Sequence, residues 1–129
     1  MDTMSVDVPP ARSMSFVAVV RRSARAFLEG LVIPTAAEAA DTVILVVSEL
    51  VTNALRHGGA PCSLELTAHP YGIEVTVRDR SSQAPRMRTP DLNAGTGGFG
   101  WPMVNHLARA TAVTSGPSGG KTVTALLPR

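Results

Sequence analysis

The chain is organised around the segment Ser48-Glu49-Leu50-Val51-Thr52-Asn53-Ala54-Leu55-Arg56-His57-Gly58, which ends a long apolar run that begins near Ala36. At about 100° per residue, the apolar side chains of this run fall on two sides of one helix. One side carries Val43, Val47, Leu50 and Ala54, and the other carries Ile44, Val51 and Leu55. A helix that is apolar on two sides is buried between layers. The run therefore predicts a buried helix that continues to the Gly58-Gly59 pair.

A polar stripe runs beside this apolar face. Glu49 and Asn53 are four residues apart and share one side of the helix, and His57 follows one turn later. One interpretation is a helix end that reaches solvent, with His57 in a capping or packing role. The alternative interpretation is a catalytic site. An Asn oxygen can bind Mg²⁺, whose other ligands are waters and substrate phosphates, and a nearby Glu can act as a general base.

Composition narrows the class of protein. A chain of 129 residues predicts one domain, and 44% hydrophobic but only 4% aromatic residues predict a core of Val, Leu, Ala and Ile. The 12 basic residues barely exceed the 10 acidic ones and form no dense run with aromatics, so direct nucleic-acid binding is weakly supported. Arg21, Arg22 and Arg25 cluster on one helical turn. Such a cluster favours a solvated face or an acidic protein partner.

The cellular compartment follows from two features. The single Cys62 has no internal disulfide partner, which fits a reducing compartment and predicts a small buried apolar residue. No N-terminal signal is visible, and Glu38, Asp41 and Glu49 interrupt the long helix, so it cannot span a bilayer. The sequence therefore predicts a cytoplasmic protein without membrane contact.

Six further segments keep the period of a helix or a strand. Residues 13–31 and 101–110 are predicted helices, and residues 63–68, 73–77, 111–115 and 121–127 are predicted strands in two hairpins. Residues 1–12 hold either a short edge strand, at residues 4–8, or a flexible lead. This order predicts an α+β domain over residues 1–129. It would be a two-layer sandwich with a mostly antiparallel mixed sheet and helices on one face.

Two more features could bind a nucleotide. The segment Gly95-Thr96-Gly97-Gly98-Phe99-Gly100 opens a helix, where glycines and the helix dipole favour a phosphate, although a mobile surface loop is the alternative. It lacks a terminal Gly-Lys-Ser/Thr and follows no strand, which excludes a Walker loop and a dinucleotide fingerprint. Asp79 ends a predicted strand. It is either a turn residue or an acceptor for a ligand amine such as adenine N6.

These motifs together resemble those of the Bergerat-fold, histidine-kinase-like ATP-binding proteins. The motifs are Glu49-x-x-x-Asn53, Asp79 after a strand, Gly98-x-Gly100 at a helix start and Gly119-Gly120-Lys121-Thr122 in the last strand. The segment around Glu49 looks most like the bacterial anti-sigma-factor serine/threonine kinases. The resemblance covers the chain from about Ser13 to Leu127.

The resemblance implies a role for each motif. Glu49 would be the catalytic base that activates a Ser or Thr hydroxyl, and Asn53 would bind ATP through Mg²⁺. Asp79 would hold adenine, with Thr122 nearby through a water. Gly98 and Gly100 would line the phosphates under a lid formed by residues 84–99.

The implied partners are a sigma factor and an anti-sigma-factor antagonist protein, and phosphorylation of the antagonist would regulate transcription by partner switching. A homodimer is left open. The sequence also departs from the family pattern, at Ser81, Gln83, Phe99, Trp101 and Pro102. These departures keep open an anti-sigma binding module with little or no catalysis. The ATP domain of a two-component histidine kinase ranks below both, because we expect no helix with a phosphoacceptor His before this domain.

Overall fold

The computed structural model describes residues 2–8, 14–58, 62–79, 100–115 and 120–129. The strands are β1 (Thr3–Val8), β2 (Cys62–His69), β3 (Gly72–Asp79), β4 (Ala110–Ser115) and β5 (Lys121–Leu127). The α-helices are α1 (Val17–Glu29), α2 (Ala37–Asn53) and α3 (Gly100–Leu107). A 3₁₀ turn at Met14–Phe16 precedes α1, and a π-helical turn at Ala54–Gly58 extends α2.

The five strands form one sheet in the order β1-β2-β3-β5-β4, and every described pair is antiparallel. Strand alternation turns one face toward the helices. Leu64 and Leu66 of β2, Val75 of β3 and Ala125 of β5 on that face are all fully buried. The other face carries polar residues that are mostly half-exposed, such as Ser63. The predicted α+β fold with an antiparallel sheet is therefore confirmed.

Helix α2 is the central element of the helical layer. It contacts α1, α3, β3 and β5, so it is covered from several directions. Its buried residues are Ala40, Val43, Ile44, Val46, Val47, Leu50 and Val51. Because both apolar sides find a neighbour, the predicted burial on two sides is confirmed. No helix in the described ranges is long and apolar enough to cross a membrane.

The ends of the elements differ slightly from the sequence prediction. Of the two alternatives for the N-terminus, the structure has the edge strand, because β1 pairs antiparallel with β2. The long helix changes from α to π geometry after Asn53, and the amide of Ala54 is shared between the carbonyls of Leu50 and Val51. Helix α3 ends at Leu107, three residues before the predicted end.

Candidate active site

The carboxylate of Glu49 lies against the first residue of α3. A methyl group built on Gly100 would come within 2.5 Å of Oε2 of Glu49 and 3.4 Å of its Cδ. Glu49 is half-buried, and α2 packs directly on α3. The absence of a side chain on Gly100 therefore lets the carboxylate approach the start of a helix. At a helix start, unpaired backbone N–H groups and the helix dipole favour negative charge.

Asn53 is the last α-helical residue of α2, one turn beyond Glu49, and its side chain is half-buried. The π-helical turn begins at the next residue, Ala54, and contacts both β2 and β3. A π turn adds a residue to the helical circumference and often occurs at functional sites. Glu49 and Asn53 thus carry a carboxylate and an amide oxygen on one well-buried helix.

Asp79 is the last residue of β3, and its side chain pairs with Lys121. The two residues are directly opposite in the sheet, and Nζ of Lys121 donates to Oδ2 of Asp79 over 2.7 Å. The exposed fractions of the two side chains are 2% for Lys121 and 1% for Asp79. Asp79 has a further interaction in addition to this ion pair. The predicted adenine-binding carboxylate is therefore part of a buried ion pair at the end of the sheet.

Cys62 lies on the same face of the sheet, next to this ion pair. Burial raises the pKa of its thiol from 9.0 to about 11, and the negative charge of Asp79 adds to this effect. The residue is only 4% exposed. The prediction of a small buried residue is confirmed, and at neutral pH the thiol is uncharged. The strand ends therefore place a thiol, a carboxylate and an ammonium group side by side.

Thr122 lies on the other face of the sheet. It is opposite Arg78 in the register, whereas Asp79 is opposite Lys121, and neighbouring residues of a strand point to opposite faces. The structure thus does not bring Thr122 together with Asp79. Sequence reasoning gave Lys121 no role, although a signal existed. Lys121 is in phase with Val123, Ala125 and Leu127, which are buried on the helix side.

Several predicted residues lie outside the described part of the chain. They are Gly98, the lid at residues 84–99, the departures Ser81, Gln83 and Phe99, and the side chain of His57. Within the described residues, no group of three or more His, Cys, Asp or Glu side chains could hold a metal ion. A Mg²⁺ ion bound by one amide oxygen, waters and nucleotide phosphates does not need such a cluster. The half-exposed Asn53 therefore fits that role.

The site thus combines three parts: helix α2 with Glu49 and Asn53, the start of α3, and the antiparallel sheet with Asp79 at its end. The sequence matches the histidine kinase-like ATPase domain family over residues 11–126. The chain belongs to this family. No curated protein matches the sequence at a significant level. Membership of the histidine kinase-like ATPase domain family confirms the broader part of the resemblance and implies ATP as the ligand. The narrower assignment to anti-sigma-factor kinases stays a prediction.

Proposed function

We propose that this ATPase domain is a serine/threonine protein kinase and anti-sigma factor, which phosphorylates an anti-sigma-factor antagonist and regulates transcription by partner switching. The observation that carries the proposal is the position of the Glu49 carboxylate against Gly100 at the start of α3. A helix start is a suitable site for phosphates. A carboxylate beside it is well placed to take a proton from a hydroxyl that attacks the terminal phosphate.

The proposed reaction is an in-line phosphoryl transfer. The Ser or Thr oxygen of the antagonist forms a bond to the γ-phosphorus, the bond from that phosphorus to the β,γ-bridging oxygen breaks, and ADP leaves. Glu49 takes the proton of the attacking hydroxyl. Asn53 would hold Mg²⁺ through its amide oxygen, and the ion would supply neutralisation of the phosphate charge. Such reactions depend on positioning and charge neutralisation more than on covalent chemistry of the protein.

The test is transfer of labelled γ-phosphate to candidate antagonist proteins, with ATP affinity measured for the same variants. Glu49→Ala should slow transfer by about 10²–10⁴-fold without a matching loss of affinity, because a base acts only in the transfer step. Asn53→Ala should weaken Mg²⁺–ATP binding as well as transfer. Glu38→Ala is the matched control, because it removes an exposed carboxylate from the first turn of the same helix. Equal transfer rates in Glu49→Ala and wild type would contradict the assignment of the base.

The proposed protein partner is supported by a cationic groove between α1 and α2. Arg21, Arg22 and Arg25 are all exposed, and with Ala18 and Ile44 they line a cavity of about 260 Å³. Arg25 donates to Asp41 over 3.2 Å, but both side chains are well exposed, so this ion pair holds Arg25 only weakly. The groove suits an acidic segment of a sigma factor or an antagonist.

A second candidate function is an anti-sigma binding module that holds nucleotide weakly or not at all. The observation that favours it is the burial of Asp79 in an ion pair with Lys121. The two candidates differ in a thermal-shift experiment. ATP with Mg²⁺ should raise the melting temperature of a nucleotide-binding protein by mass action on the folded state. No shift at millimolar ATP and Mg²⁺ would reject the kinase and support the binding module.

A further inference from the structure

Three large apolar side chains are exposed in two connections of the chain. Val32 and Ile33, between α1 and α2, are 95% and 73% exposed. Tyr71, in the turn between β2 and β3, is 57% exposed. Single exposed apolar residues are ordinary, whereas a group of them on one surface marks an interaction site. The contacts between the two connections therefore decide the significance of these residues.

Arg129 holds the two connections together. Its guanidinium group donates through Nη2 to the carbonyl of Ile33 and through Nη1, over 3.0 Å, to the carbonyl of His69. The ring of His69 in turn stacks on that of Tyr71, with 4.9 Å between the ring centroids. We call the resulting surface the distal patch: Val32, Ile33 and Tyr71. Because its parts are already fixed to one another, a partner would lose little free energy in ordering them.

Two cations accompany the distal patch. The side chain of Arg109 is exposed, and its Nη1 donates over 3.1 Å to the carbonyl of Tyr71. Among the described residues, Arg109 and Arg129 donate to backbone carbonyls and form no ion pair with a carboxylate. Glu74 belongs to the same network of contacts, but its Oε1 is 2.8 Å from Nε2 of His69. Each guanidinium has five N–H donors, so both retain donors for an anionic group.

We propose that the distal patch is a docking surface for a segment of a protein partner that combines apolar side chains with Asp or Glu. The apolar side chains of this segment would cover Val32 and Ile33, and its carboxylates would pair with Arg109 and Arg129. A second copy of the chain suits the patch less well, because it would bring the same two cations to the contact. A membrane surface suits it less well too, because binding to anionic lipid typically uses about four to eight clustered cations.

This surface is distant from the candidate active site. Strand β3 starts at Gly72, next to the distal patch, and ends at Asp79. At about 3.4 Å per residue, the two ends are about 24 Å apart. A partner on the distal patch would thus leave the site around Glu49 accessible. The inference goes beyond the proposed kinase function and does not depend on nucleotide binding.

The experiment uses two libraries of short peptides displayed on phage, one built from apolar residues with Asp and Glu and the other from the same apolar residues with Lys and Arg. Recovery on the immobilised full chain is compared with recovery on the patch variant, which carries both Val32→Thr and Ile33→Thr. Since both side chains are exposed, this variant should fold normally. Recovery of the acidic library should fall by on the order of 10-fold in the patch variant.

A second variant and two controls separate charge from apolar contact. Arg109→Gln keeps a donor for the carbonyl of Tyr71 without the charge, and should lower recovery of the acidic library by about threefold. Val113→Thr makes the matched change at an exposed Val of β4, and Arg78→Gln removes an exposed cation of β3 outside the patch. Both controls should keep the wild-type recovery.

Equal recovery of the acidic library on wild type and the patch variant would overturn the inference, as would better recovery of the basic library on wild type. Two further measurements test the other occupants. Sedimentation with phosphatidylglycerol vesicles that is lost in the patch variant would assign the patch to a membrane surface instead. A dimer in analytical ultracentrifugation that is lost in the patch variant would assign it to a second copy. Absence of ATP binding or of phosphate transfer would reject the proposed function and leave the distal patch unaffected.

Discussion

Substitution of Gly100 by Ala should displace the Glu49 carboxylate while leaving the fold intact. The new methyl group would be 2.5 Å from Oε2 of Glu49, so the two atoms must move apart by about 1 Å to reach an ordinary contact. The end of a Glu side chain can rotate, and an off-rotamer torsion costs about 0.5–1.5 kcal/mol. The same substitution gains up to about 1 kcal/mol because Ala favours a helix more than Gly does. The two effects nearly cancel, so the free energy of unfolding should change by less than about 1 kcal/mol.

A double-mutant cycle isolates the contact. In the Glu49→Ala background the methyl group meets no carboxylate, so Gly100→Ala should give only the helix-propensity gain. Denaturant unfolding of the four proteins should therefore show a coupling energy of about 0.5–1.5 kcal/mol. In the kinase assay, Gly100→Ala alone should lower phosphate transfer toward the level of Glu49→Ala. A coupling energy of zero within error would refute the placement of Glu49 against α3.

Gly72→Ala is the contrasting control, because there the new methyl group meets an atom that cannot rotate away. It would lie 2.6 Å from the backbone oxygen of Leu127 and 3.1 Å from Cδ1 of Leu126. The strands β3 and β5 would have to separate locally, so we expect a loss of about 1–3 kcal/mol of stability. A loss at Gly72 together with a near-neutral effect at Gly100 would show that the difference lies in what each methyl group meets.

Three further predictions concern other parts of the molecule. In the folded protein the pKa of Cys62 is raised from 9.0 to about 11. The folded state therefore keeps the thiol protonated at pH values where the unfolded chain loses the proton. The resulting contribution to the free energy of unfolding, about 2–3 kcal/mol, is fully present below pH 9 and is lost as the pH rises from 9 to 11. Between pH 9 and 11 the free energy of unfolding, measured with denaturant, should fall less in Cys62→Ala than in wild type. An equally steep fall in both proteins would show that ionisation of Cys62 is not the cause. Arg22→Glu should slow association with an acidic partner at low salt without changing ATP affinity. Arg78→Glu, on the face of the sheet opposite the described helices, should leave the association rate unchanged. Leu66→Ala, at a fully buried position of the central sheet, should cost about 2–5 kcal/mol of stability in the same unfolding assay, and a cost below about 1 kcal/mol would contradict its burial.

The parts of the fold that the sequence predicts well depend on local periodicity. The α2 helix could be assigned because its apolar residues recur at helical spacing on two sides, and both sides are buried in the structure. The hairpin of β2 and β3 could be assigned because Pro70 and Tyr71 separate two alternating runs, and the register pairs His69 with Gly72. Strand phase also predicts which residues face the core, because alternate positions share one face.

The parts that the sequence predicts poorly depend on contacts between distant segments. The ion pair of Asp79 and Lys121 joins residues 42 positions apart, and it requires the exact register of β3 with β5. A shift of one residue would have placed Thr122 beside Asp79. The approach of Glu49 to Gly100 likewise depends on how α3 packs on α2. The π-helical turn after Asn53 spans only five residues, about one turn, so it leaves no period of its own in the sequence.

The energetics of the buried ion pair indicate how a nucleotide would meet Asp79. Removing Lys121 from the carboxylate would break a buried ion pair, at a cost of about 3–5 kcal/mol. A hydrogen bond from an adenine amine to a charged acceptor returns only about 1.5–3 kcal/mol. Displacement of Lys121 by the base is therefore unfavourable, whereas a base that donates to another lone pair of the same carboxylate leaves the ion pair intact. In an ATP complex Lys121 should accordingly stay bound to Asp79, so that the ion pair is compatible with the proposed kinase and with the predicted contact between Asp79 and adenine.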